Sequence, residues 1–109
     1  VGECLAEVLK EAARRYSQNG GCSGCMVLEG IHSHDPQARD IAVQYYHAAE
    51  TAIYDYIARR HPQSAQCVTD FMSTVMSGLS AKAREGHSIE QLCATAALAG
   101  EAIKTILKE

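Results

Sequence analysis

The chain is poor in proline, has no long apolar run and carries no surplus of basic charge, and each shortage excludes something. Two prolines in 109 residues, Pro36 and Pro62, leave most of the chain free to run as helix. The longest apolar stretch, the alanine-rich segment from Cys93 to Gly100, falls far short of the roughly 18 consecutive apolar residues of a membrane span, so no membrane partner is expected. A formal net charge of −3, a pI near 5.9 and scattered Lys and Arg offer no stripe of positive potential to a phosphate backbone. By itself, this stretch is not expected to bind nucleic acid. Alternation with period two is absent, which argues against strands. There is neither a G-x-S-x-G elbow nor a G-x-x-x-x-G-K-[ST] phosphate loop, so an enzyme is not expected.

The opening residues Val1-Gly2-Glu3-Cys4 lack the basic and apolar regions of a secretory signal. The five cysteines at 4, 22, 25, 67 and 93 form an odd, irregularly spaced set that reads as reduced thiols, and a cytoplasmic protein is expected. Hydrophobic residues at 47% and charged residues at 21% match one folded globular domain of this length, residues 1–109.

Helical periodicity runs almost from end to end and predicts an all-α, five-helix antiparallel array. Leu5, Val8, Leu9, Ala12 and Tyr16 define a first helix that stops at Asn19-Gly20-Gly21. A short second helix covers about 23–33. Asp35-Pro36 then supplies a cap and a proline suited to a first helical turn, starting a third helix over about 36–60. Its apolar arc, from Ala38 and Ile41 through Tyr45 to Ile57, is wide enough to predict a central position covered on two sides. A fourth helix spans about 66–84 and stops at Gly86. A fifth begins at Ser88, where Ser88 and Gln91 can form a capping box.

Three constellations bear on chemistry. Cys22 and Cys25 with His32 and His34 have the residue types of a zinc site, but His32 follows Cys25 by only seven positions, with six residues between them, where zinc fingers use about a dozen. Neither a metal nor any other cofactor is expected, and the Cys-x-x-Cys lacks the βαβ surroundings of a redox enzyme. Second, Tyr45 on the third helix, with Met72 and Met76 on the fourth and Cys25, Glu29 and His32 on the second, offers apolar bodies with sparse polar tips. Such a wall suits a small hydrophobic or aromatic ligand, and its bland alternative is ordinary core. Third, Phe71, Val75, Gly78 and Leu79 on the fourth helix, and Leu98, Ala102 and Ile106 on the fifth, give more apolar surface than one subunit can cover. Two-fold pairing of these helices into an intermolecular four-helix bundle would bury it, making a homodimer.

The segments Gly24-Cys25-Met26-Val27-Leu28-Glu29-Gly30, His34-Asp35-Pro36 and Met76-Ser77-Gly78-Leu79-Ser80-Ala81-Lys82-Ala83-Arg84-Glu85-Gly86 occur in an order that resembles the C-terminal half of TetR-family bacterial transcriptional regulators. The resemblance extends from about Leu5 to Leu107. It implies a ligand-binding and dimerisation domain, joined through its last two helices, that senses a small-molecule effector. It also implies that DNA is contacted only through an N-terminal helix-turn-helix domain, which these residues do not supply. The competing expectation is a stand-alone helical bundle that binds a metal or a partner helix.

Overall fold

A computed structural model describes residues 1–17 and 34–108. Among them are four helices and no strand: α1 (Gly2–Ser17), α2 (Pro36–Ala58), α3 (Ala65–Arg84) and α4 (Ile89–Leu107). The expected second helix lies outside the described residues.

Each helix boundary has a local cause. In α1, Glu3 sits in the first turn and Arg14 and Arg15 in the last, so the charges oppose the helix dipole at both ends. At the start of α2, the Asp35 carboxylate accepts the Gln37 backbone N–H at 3.0 Å, and Pro36 occupies a position where no donor is needed. That helix gives way two residues before the expected end: the Arg60 and His61 N–H groups both turn back to the Ile57 carbonyl, ahead of Pro62. Gly86, at φ +94°, closes α3 while His87 donates to the Lys82 carbonyl at 3.1 Å. The capping box of α4 is complete: Gln91 N–H donates to Ser88 Oγ at 3.1 Å, and Ser88 N–H donates to Gln91 Oε1 at 2.8 Å.

The core is built where α1 lies along α4, with α3 packed against both. Leu9 from α1, Met72 and Leu79 from α3, and Leu92 and Ile103 from α4 are all fully buried there. Leu5, Leu9 and Tyr16 lie on one stripe of α1, the narrow apolar face of a helix that packs on one side only.

The third predicted helix, α2, departs from expectation in its position. It packs chiefly on α3, and of its 23 residues only Ala42 and Ile57 are buried, while Ile41 and Tyr45 are 54% and 66% exposed. The central element is α3, which touches α1, α2 and α4. The reason is compositional: the wide arc of α2 is mostly alanine and tyrosine, and a methyl group or an amphipathic ring gains less from burial than the leucines and isoleucines of α1 and α4. No described helix is long and apolar enough to cross a membrane.

Candidate functional site

Two surfaces between neighbouring helices have the shape and chemistry to engage something outside the chain. The first is a polar cleft between α2 and α3. One part of it, an open hollow of about 220 Å³, is lined by Glu50, Thr51, Tyr54, Gln66, Thr69 and Asp70. A neighbouring hollow of about 430 Å³ shares Glu50 and Asp70 and adds Tyr46, Ser73, Thr74 and Ser77. These residues recur on the facing sides of two packed helices because positions three and four apart share a helical face.

Hydrogen bonds hold the cleft walls in place. The Ser73 hydroxyl donates to Glu50 Oε2 at 2.7 Å, tying α3 to α2, and Gln66 Nε2 donates to Asp70 Oδ1 at 3.0 Å one turn along α3. His47 Nδ1 stands 3.4 Å from Glu50 Oε1, a contact that becomes an ion pair when the imidazole is protonated. Thr69 is the exception. It is 3% exposed, and its hydroxyl oxygen is buried without any hydrogen-bond partner, which costs about 1–3 kcal/mol.

The second surface is a shallow, mainly apolar groove of about 250 Å³ between α3 and the start of α4, lined by Val75, Gly78, Leu79, Leu92 and Thr95 with Lys82 and His87 at its rim. Beyond it along α4, Leu98 is 74% exposed and Ile106 50% exposed, with the half-buried Ala102 between them at four-residue spacing. A side chain added at Gly78 would meet nothing within 4 Å, so the backbone of α3 is open to close approach there.

The expected site residues divide accordingly. Cys25, Glu29 and His32 lie outside the described residues, as do Cys22 and the greater part of the Cys/His constellation. Met72 is fully buried in the core and Met76 packs partly buried against it, whereas Tyr45 points to the surface. Val75, Gly78, Leu98, Ala102 and Ile106 are available on the outside of α3 and α4. Phe71 is half-buried against the core, and Leu79, at 2% exposure, serves mainly the chain's own core.

Over all 109 residues the chain is 94% identical to an HTH-type transcriptional repressor, BdcR, of Escherichia coli strain K12. The chain spans 55% of the length of that curated relative. It is thus a homologue of part of a transcriptional repressor and not of an enzyme. No protein-family profile matches the chain, and no solved structure matches it.

Sequence reasoning missed the polar cleft. Glu50 and Asp70 look like solvated helix-surface carboxylates until the packing of α2 on α3 brings them to one opening. The signal that could have found them is the polar row Gln66, Asp70, Ser73 and Ser77, which repeats at three- and four-residue spacing and runs along a helix whose other face is core. Among the described residues, no group of three or more His, Cys, Asp or Glu side chains is placed to hold a metal ion.

Proposed function

We propose that this chain is the effector-binding and dimerisation part of a transcriptional repressor of TetR type, acting as one domain over residues 1–109. The observation that carries the reading is the 94% identity over all 109 residues to part of a transcriptional repressor. In this reading the DNA-reading heads belong to the remainder of the full-length protein. The acidic balance of the present stretch, at −3, agrees with that division of labour.

Two copies pair through α3 and α4, with Val75, Gly78, Leu98, Ala102 and Ile106 at the contact and Phe71 and Leu79 supporting them from within. A two-fold interface needs only one self-complementary patch, and the open backbone at Gly78 on α3 and the exposed Leu98 and Ile106 on α4 support that reading. The effector in this reading is a small hydrophobic or aromatic molecule, for which Tyr45, Met72 and Met76, and Cys25, Glu29 and His32 outside the described residues, are the candidate contacts. Regulation follows by linkage: an effector that binds one arrangement of the dimer better than the other shifts the spacing of the two heads by its differential affinity.

The test is genome-wide DNA capture by the full-length protein. Enrichment of discrete sites with two-fold symmetry, one half for each head, is the expected result. Capture that yields no enriched site overturns the reading.

A further inference from the structure

We draw no further inference here: the strongest candidate, the shallow apolar groove between α3 and the start of α4 with Lys82 and His87 at its rim, belongs to the face already proposed for the pairing of two copies, and nothing in the structure shows what else would cover it.

Discussion

Gly100 of α4 rests directly on Ala6 of α1: a β-carbon built on Gly100 would lie 2.8 Å from Ala6 Cβ and 3.3 Å from Ala6 Cα. No flexible side chain can give way there, so the two helices would have to part. Gly100→Ala therefore sets a helix-propensity gain of about 1 kcal/mol against an overpacking cost of about 1–3 kcal/mol. We expect a net loss of about 1 kcal/mol, read as a melting temperature roughly 4–8 °C lower. Moving the methyl across the contact, with Ala6→Gly added, should recover part of the overpacking cost, measured as a coupling energy in a double-mutant cycle. A melting temperature raised by Gly100→Ala alone would contradict this contact.

The same helix pair carries the ion pair Lys104 to Glu3, at 2.6 Å, with Glu101 also bonded to Lys104 at 3.2 Å. The hydrogen bond and charge of Lys104 hold the Glu3 carboxyl below its ordinary 4.5, and Glu3 and then Glu101 raise the Lys104 ammonium above its ordinary 10.5. The stabilisation is thus complete between those two values. It is lost as pH falls through the depressed Glu3 pKa, and lost again as pH rises through the raised Lys104 pKa. Glu3→Gln should lower the melting temperature slightly at pH 7, and the difference from the parent chain should shrink as pH falls below 4.5. Because Glu3 is solvent-exposed and Lys104 partly so, 1 M salt should shrink the difference at pH 7.

Ser88 accepts from Gln91 and is completed by the reciprocal bond, so its hydroxyl holds an end of α4 that would otherwise fray. Ser88→Ala is expected to cost about 0.5–2 kcal/mol in chemical denaturation, and Ser88→Asp to retain most of the stability. Equal losses from Ala and Asp would show that the cap is not what matters.

Gly78 gives opposite expectations for the isolated subunit and for the pair. Within the chain nothing lies within 4 Å of an added methyl, so Gly78→Ala should stabilise a monomeric background such as Leu98→Glu by up to about 1 kcal/mol. In the dimer proposed above, the same methyl stands between two approaching backbones and should weaken association. Thermal melts at two protein concentrations separate the effects, since only the association term depends on concentration.

Where short-range chemistry decides the structure, the sequence was a sufficient guide: Asp35-Pro36, Ser88 with Gln91, and Gly86 mark helix ends through bonds that span a few residues. The stripe of Leu5, Leu9 and Tyr16 was likewise readable, because a narrow apolar face has one way to pack. The position of α2 was not, since the breadth of an apolar arc says little about depth when alanine and tyrosine make it. The cleft at Glu50, Thr69 and Asp70 was also hidden: its residues come from two helices, and only their crossing brings the carboxylates together. The expectations on Cys25, Glu29 and His32 concern the segment outside the described residues.

The account stands most directly on the exposed row of α4, and sedimentation velocity tests it. The full chain at micromolar concentration should sediment as a dimer. Leu98→Glu, a change at a side chain 74% exposed in the subunit, should sediment as a monomer with its helical circular dichroism intact. A parent chain that remains monomeric at that concentration, or a Leu98→Glu variant that stays dimeric, would contradict it.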